Sequence, residues 1–224
     1  MNNILIIIIA MYSLSYCEET IYYTAKFKSI NAGSAILKTK NNLYDEFIEI
    51  NFSLKTRKMI DVFYKLRDDI QAFINPEDFS LIKIKKKSEQ GKYSKVDEAT
   101  FDYEKNYLNH NDKSISINNK IYEPLSIITF LRHQTLSIGS QYNFSIYSKG
   151  KIKNINLEVL KKENIKIKNK KYTSFVIGHT NNDKSEIKFW IDEKPPHLPI
   201  IIETKSKNGD IILKYNSHKI NNEQ

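Results

Sequence analysis

Apolar and polar residues alternate along most of the chain, and a period of two is typical of a strand with one buried face. The pattern is clearest over residues 48–55, where Ile48, Ile50, Phe52 and Leu54 fall on one side. It also covers residues 21–28 and starts again at Ala35, after the turn signal Asn31–Gly33. The mature part of the chain therefore opens on a predicted hairpin.

Many further segments have the composition and length of strands. They are residues 62–67, 69–74, 79–85, 99–103, 115–117, 142–147, 154–159, 173–178, 186–191, 200–205 and 211–215. Their connections are short and polar, and the polar stretch Ser88–Glu98 is most simply a mobile hairpin loop. So many strands with short turns predict an antiparallel sheet.

One segment has the pattern of a helix. It begins near Glu123–Pro124, with proline at its first position, and places Leu125, Ile128 and Leu131 on a spacing of three residues. We expect it to stop near Gln134, with His133 in its last turn, where a cation would favour the negative end of the helix dipole.

Together these elements predict a mainly β protein. We expect a single strongly curved antiparallel sheet or a partly open barrel of about a dozen strands, with one short helix near residues 124–134. The 224-residue chain has no linker and no internal repeat, so residues 18–224 form one predicted domain with its core over 21–217. The concave face of such a sheet is filled by the helix and loops or holds an apolar ligand.

The first 17 residues read as an export signal. Asn3–Leu14 is an uncharged apolar run too short for a spanning helix, and cleavage is expected within Ser15–Glu18. The tetrapeptide that ends at Cys17 resembles the lipobox of bacterial lipoproteins, so Cys17 is a candidate lipid anchor. The alternatives are ordinary cleavage just after Cys17 and an uncleaved N-terminal anchor. Because Cys17 is the only cysteine, no intrachain disulfide and no cysteine cluster for zinc can form. We expect the protein in the periplasm or anchored by lipid in the cell envelope, with membrane association only through a modified Cys17.

The charge balance changes this picture little. The net charge is +9, yet of the 35 basic residues only Arg57, Arg67 and Arg132 are arginine, whereas phosphate and base recognition favours arginine. The densest runs, Lys83–Lys87 and Lys161–Lys171, alternate lysine with isoleucine, as in a strand with a wet face and a charged edge. We therefore expect no nucleic-acid partner.

From the helix onward the chain resembles the bacterial family called domain of unknown function 3108. The similar segments are Ser126–Arg132, Leu136–Gly139, Phe189–Asp192, Leu198–Ile200, Gly209–Ile211 and, in the opening hairpin, Tyr23–Ala35. Lys194–His197 and Glu123–Pro124 depart from the family pattern. The family's members are exported proteins without an assigned activity, which is what the resemblance implies here.

The matching residues have structural explanations. They are Gly33, Arg132, Gly139, Trp190, Asp192, Pro199 and Gly209. We expect the three glycines to adopt positive φ in turns and Trp190 to be a large buried anchor opposite Pro199.

The chain carries no recognisable catalytic or cofactor motif. The five histidines show no pair at metal-ligand spacing, and phosphate-binding and nucleophile-elbow motifs are absent from the sequence. We expect no cofactor, no metal and no enzyme activity.

The leading hypothesis is an envelope protein whose curved sheet holds an apolar ligand or lipid, which predicts an apolar concave cavity. The alternative is a structural or assembly factor that contacts envelope proteins, which predicts a filled cavity and an exposed patch. An enzyme would require polar side chains, with a histidine among them, converging in a cleft.

Overall fold

The computed structural model describes residues 16–27, 30–42, 46–111, 113–148, 150–179, 187–205 and 209–223. Within them lie fifteen strands and two helices. The strands are β1 Tyr16–Phe27, β2 Ile30–Asn42, β3 Ile48–Thr56, β4 Leu66–Ile74, β5 Leu81–Gln90, β6 Tyr93–Asp102, β7 Tyr107–His110, β8 Lys113–Ser116, β9 Ile121–Tyr122, β10 Gln141–Ser148, β11 Lys151–Ile167, β12 Lys170–His179, β13 Ile187–Asp192, β14 Pro199–Thr204 and β15 Ile211–Glu223. The helices are α1 Lys58–Tyr64 and α2 Pro124–Arg132.

All fifteen strands belong to one sheet that does not close. Its order is β8-β7-β6-β5-β4-β3-β2-β1-β15-β14-β13-β12-β11-β10-β9, so the first and last strands are neighbours at its centre and β8 and β9 are its two edges. Every pairing is antiparallel except β9 with β10, which is parallel. The predicted mainly β class and the single curved sheet are thus confirmed, with more strands than the dozen expected.

The buried face follows the alternation in the sequence. β3 alternates buried and half-buried side chains, with Ile48, Ile50, Phe52 and Leu54 buried as predicted. Its neighbours continue the same face through the register pairs Leu37–Phe52 and Ile50–Ala72. These faces merge into one contiguous apolar core, which also includes α2.

Helix α2 fills the concave side of the sheet. Leu125, Ile127, Ile128 and Leu131 are each no more than 6% exposed, so the helix is buried around most of its circumference. The ring of Phe130 lies 5.4 Å from that of Phe144 on β10 and 6.3 Å from that of Phe79 before β5. Its predicted start at Pro124 is confirmed, and it ends at Arg132 with His133 as the C-cap.

Two predicted segments are wrong. Most of the segment 62–67 is not a strand, because α1 occupies 58–64 and β4 begins only at Leu66. Asp61 accepts hydrogen bonds from Thr56 and Arg67 that hold this turn of helix against β3 and β4. Ser88–Glu98 is not a loop either. It continues the β5–β6 hairpin to a two-residue turn at Gly91, whose φ is +60°, because β4 runs alongside as far as the pair Leu66–Gln90.

The lysine-rich runs lie in strands, as their alternation indicates, and only one of them lies at an edge. Lys83–Lys87 lies in β5 between β4 and β6. Lys161–Lys171 spans β11 and β12, where β11 extends beyond its last pair with β10, Gln141–Glu158, and is paired on one side only. Lys86 pairs in register with Ile70 and Asp97 and shares the concave face with them. The two outermost strands, β8 and β9, are short, which limits edge-to-edge pairing.

Candidate functional site

A part-buried ion pair joins α2 to the centre of the sheet. Arg132, the last residue of α2, donates from Nη1 to Oε2 of Glu19 at 2.6 Å and from Nη2 to Oε1 at 2.8 Å. The two side chains are only 11% and 13% exposed. A bidentate pair of this geometry sets both the distance and the orientation of the helix end on β1.

The same guanidinium holds the turn between β13 and β14. Nη2 of Arg132 also donates to the carbonyl oxygen of Pro196 at 3.1 Å, and the Pro195–Pro196 bond is cis. The hydroxyl of Tyr23, on β1, donates to the carbonyl oxygen of Pro199 at 3.1 Å. Burial raises the pKa of Tyr23, so this hydroxyl remains a donor.

At the other end of α2 lies a buried carboxyl group. Glu123 is 3% exposed; its Oε1 accepts from the backbone N of Ser126 at 2.9 Å, while the Ser126 hydroxyl accepts from the backbone N of Glu123 at 3.0 Å. This reciprocal capping box starts the helix. Burial raises the pKa of Glu123 to about 7, against the partial opposition of the Ser126 N–H and the ammonium of Lys86.

A cluster of three polar side chains bridges the two edges of the sheet. The hydroxyl of Tyr147, on β10, lies 2.6 Å from Nδ1 of His110 on β7 and donates to Oδ2 of Asp97 on β6 at 3.1 Å. Asp97 and Tyr147 are 7% and 4% exposed. Burial, reinforced by the Asp97 charge, raises the pKa of Tyr147. We call these three residues the edge cluster.

The edge cluster satisfies part of what an enzyme requires, namely a histidine that converges with a carboxylate and a hydroxyl. Its residues do not line either of two open grooves on the described surface, which have volumes of about 430 and 640 Å³. With its polar atoms turned towards each other and away from solvent, the cluster is built to hold β6, β7 and β10 together.

Part of the family-like motif comes together in space. Arg132 and Pro199 meet around Glu19 and Tyr23, and Asp192 lies at the base of the same turn, where its Oδ1 accepts from the backbone N of Lys194 at 3.3 Å. His133 stays structural, as predicted: Nδ1 lies 2.8 Å from the Thr129 carbonyl oxygen and the ring stacks on Phe79.

The remaining motif residues lie apart, and two of their predicted roles are wrong. Gly33 does not adopt positive φ; it lies inside β2, where a Cβ would overlap the carbonyl of Lys55 on β3. Trp190 is half-buried, not a buried anchor, because β13 turns Phe189 and Ile191 into the core. Its register partner is Ile201, and Pro199 pairs with Ile191 across a bulge.

The other two glycines behave as predicted. Gly139 and Gly209 have φ of +88° and +122°. The backbone N of Gly139 donates to the Val159 carbonyl at 2.8 Å, which fixes the loop between α2 and β10.

Cys17 lies near the start of β1 as a free, half-buried thiol. It pairs in register with Asn41 and Asn222. The export segment itself, over residues 1–15, lies outside the described residues.

Sequence reasoning missed Glu19, Asp97 and Tyr147. Only Glu123 had a local signal, since a capping residue three positions before Ser126, followed by proline, is a helix start. Glu19 and Arg132 are 113 residues apart in the sequence, and Asp97 and Tyr147 are 50 residues apart, so no local sequence pattern predicts either contact.

Within the described part of the chain, no group of three or more histidine, cysteine or acidic side chains is arranged to hold a metal ion. None of its helices has the length and apolar character needed to cross a membrane.

The model of a family of proteins of unknown function, DUF3108, matches residues 20–215. The chain belongs to this family. The resemblance stated from its motifs is therefore confirmed. No curated protein matches the chain.

Among solved structures, a match is the crystal structure of a β-barrel-like protein of the domain of unknown function DUF1849 from Brucella abortus. The TM-score is 0.64 at 10% sequence identity, over 93% of this chain and 98% of that one. At this identity the likeness shows the fold alone. This chain and that protein thus share a fold over nearly the whole of both chains.

Proposed function

We propose that this DUF3108 protein is an exported, non-enzymatic cell-envelope protein whose barrel-like sheet is a rigid scaffold for contacts with envelope partners. The observation that carries the proposal is the occupation of the concave side by α2. A binding protein of this architecture keeps that side open for its ligand. Here four aliphatic side chains of α2 are buried in it.

The polar residues in the interior support the same interpretation. The carboxylate of Glu19 is matched by Arg132, Glu123 caps α2, and the edge cluster joins strands from the two sheet edges. Each of these groups makes a contact that holds the fold together. None of these residues lines either of the two open grooves.

The competing function is retention of an apolar ligand, and it requires α2 to leave its place. The aromatic residues around Phe130 favour this alternative, because Tyr122, Tyr142 and Phe144 would line the space that the helix vacates. Displacement would break the Arg132–Glu19 pair and expose four buried aliphatic side chains, each worth about 1.5–3 kcal/mol of burial.

The deciding experiment is native mass spectrometry of the protein purified from its own envelope, with analysis of co-eluting lipid. The scaffold proposal predicts a mass without lipid in the interior. The Leu131→Ala variant is the positive control, since truncation of this buried side chain opens a cavity that can take up a small apolar probe such as benzene. A stoichiometric lipid that co-purifies with the wild type and occupies the interior would overturn the scaffold proposal.

The same mass spectra identify the N-terminal residue of the mature chain and any modification of Cys17. Export predicts a mature chain that begins within residues 15–18, and a diacylglyceryl group on Cys17 would add its mass to that chain. Recovery of a full-length chain from the cytoplasm would contradict the proposed location.

A further inference from the structure

Two apolar side chains of helix α1 are exposed to solvent. Met59 and Val62 are each 82% exposed and lie three residues apart, so they share one face of the helix. A surface helix of a globular protein normally turns that face towards the core. In α1 the polar Asp61 faces the sheet, where Thr56 and Arg67 donate hydrogen bonds to it.

Two more exposed side chains extend this surface. The backbone N of Arg57 donates to the Ala32 carbonyl at 2.8 Å, which brings the start of β2, with Ile30 at 64% exposure, beside α1. The N of Gly91 donates to the Lys65 carbonyl at 2.8 Å, which brings up the β5–β6 turn with Tyr93 at 59% exposure. We call Ile30, Met59, Val62 and Tyr93, with the basic residues Arg57 and Lys58, the α1 rim.

The charge around the rim is positive. Arg57 and Lys58 are exposed, and neither has a carboxylate within ion-pair distance among the residues described. The one acidic residue of α1, Asp61, is paired with Arg67, and Lys65 is paired with Glu89. Protruding apolar side chains with unpaired cations beside them suit an interface of acyl chains and acidic headgroups.

We propose that the α1 rim docks on an anionic lipid surface, with Met59 and Val62 entering the headgroup–acyl boundary and Arg57 and Lys58 contacting the headgroups. The rim lies at the far end of the sheet from Cys17. Cys17 lies near the start of β1, and Phe27, which pairs with Ile30 of the rim, lies at its end. The ten residues from Cys17 to Phe27 span about 33 Å along the strand. A lipid on Cys17 and the rim are therefore separate points of membrane contact. The docking does not require a filled interior, so it can fail while the scaffold proposal stands.

The test is vesicle binding followed by a label on the rim. In a Cys17→Ser background, which removes the only cysteine, Val62→Cys carries an environment-sensitive fluorophore, and Ile220→Cys, on β15 near the opposite end, is the matched control. Docking predicts a blue shift at position 62 on phosphatidylcholine vesicles that contain phosphatidylglycerol. It predicts no shift on phosphatidylcholine alone and none at position 220.

Unlabelled variants measure how much each part of the rim contributes. Met59→Ser/Val62→Ser is expected to weaken partitioning at least about tenfold, and Arg57→Gln/Lys58→Gln to weaken it and reduce its salt dependence. Both pairs are exposed, so folding, checked by circular dichroism, should be retained. No blue shift at position 62, an equal shift at position 220, or full binding by the serine variant would overturn the proposal. Protection of position 62 by a purified envelope protein without vesicle binding would also overturn it, in favour of a protein partner.

Discussion

The sheet has two places where distant parts of the chain meet, and they are built differently. At its centre, β1 pairs with β15 over its whole length, from Tyr16–Glu223 to Phe27–Ile211. β1 is paired equally far with β2 on its other side. The chain ends are thus joined by backbone hydrogen bonds, which most side-chain substitutions leave in place.

The outer edges have no such ladder. β9 contributes only two residues, paired with Ser145 and Ile146 of β10. Two sets of side-chain contacts bridge the gap instead. One is the edge cluster. The other is the hydroxyl of Tyr103, which donates to the Leu81 carbonyl at 2.7 Å and accepts from the backbone N of Ile121 at 3.2 Å. The outer edges therefore depend on a few residues, whereas the centre depends on many.

Helix α2 links these two regions. Arg132 binds Glu19 at the centre, and Phe130 packs on Phe144 near the edge. Substitutions in α2 should therefore disturb the whole sheet, and substitutions in the edge cluster should disturb one side of it.

The largest effect is expected from Arg132→Ala. It leaves the carboxylate of Glu19, whose side chain is only 13% exposed, without its partner; removal of one partner from a buried pair typically costs about 3–5 kcal/mol of unfolding free energy. Urea denaturation measures the loss, with the exposed Arg57→Ala as control. A loss below about 1 kcal/mol would show that the pair does not hold the helix to the centre.

The next effect is the pH dependence that Glu123 produces. Folding raises its pKa from the ordinary value of 4.5 to about 7, so the folded state keeps the proton that the unfolded chain loses. Below pH 4.5 Glu123 is protonated in both the folded and the unfolded state, so its burial does not lower the unfolding free energy. Between pH 4.5 and 7 only the unfolded state loses the proton, and the unfolding free energy should fall by about 3 kcal/mol.

Glu123→Gln keeps an acceptor for the Ser126 N–H without the titrating group. Its unfolding free energy should lack this fall, so the variant gains stability relative to the wild type as the pH rises. Parallel pH profiles for the two proteins would contradict the raised pKa.

A smaller and more local effect is expected from Tyr147→Phe. It removes the hydroxyl that Asp97 and His110 share, and a buried polar group left without its partner costs about 1–3 kcal/mol. Hydrogen exchange should accelerate in β7 and β10 while the β1–β15 ladder stays protected. Equal acceleration in both regions would remove the distinction between them, and the exposed Tyr93→Phe is the matched control.

The smallest effect is expected from Glu193→Gln, away from both regions. Glu193 forms an ion pair with Lys162. Their side chains are 43% and 42% exposed, respectively, so solvent screens the pair. The expected change in unfolding free energy is below about 1 kcal/mol. A larger change would show that surface charge, and not the two junctions, dominates stability.

The strands and α2 could be predicted because their signals are local. The alternation over 48–54 predicts the buried face of β3, and proline after Glu123 predicts the start of α2. The family resemblance was also readable, and the match over residues 20–215 confirms it. Residues 58–64 were misjudged because seven residues carry too little periodicity, and the hydrogen bonds of Asp61 with Thr56 and Arg67 decide the helix.

By itself, the sequence determined the alternation of core-facing side chains in strands such as β3, the start of α2 and the family to which the protein belongs. These follow from periodicity and short motifs, because neighbouring residues set local conformation. Only the tertiary structure decided that α2 fills the concave side, that Glu19 meets Arg132, and that Asp97, His110 and Tyr147 bridge the edges. Such contacts arise from the curvature of the whole sheet, which brings together residues too far apart along the chain for any local pattern to encode.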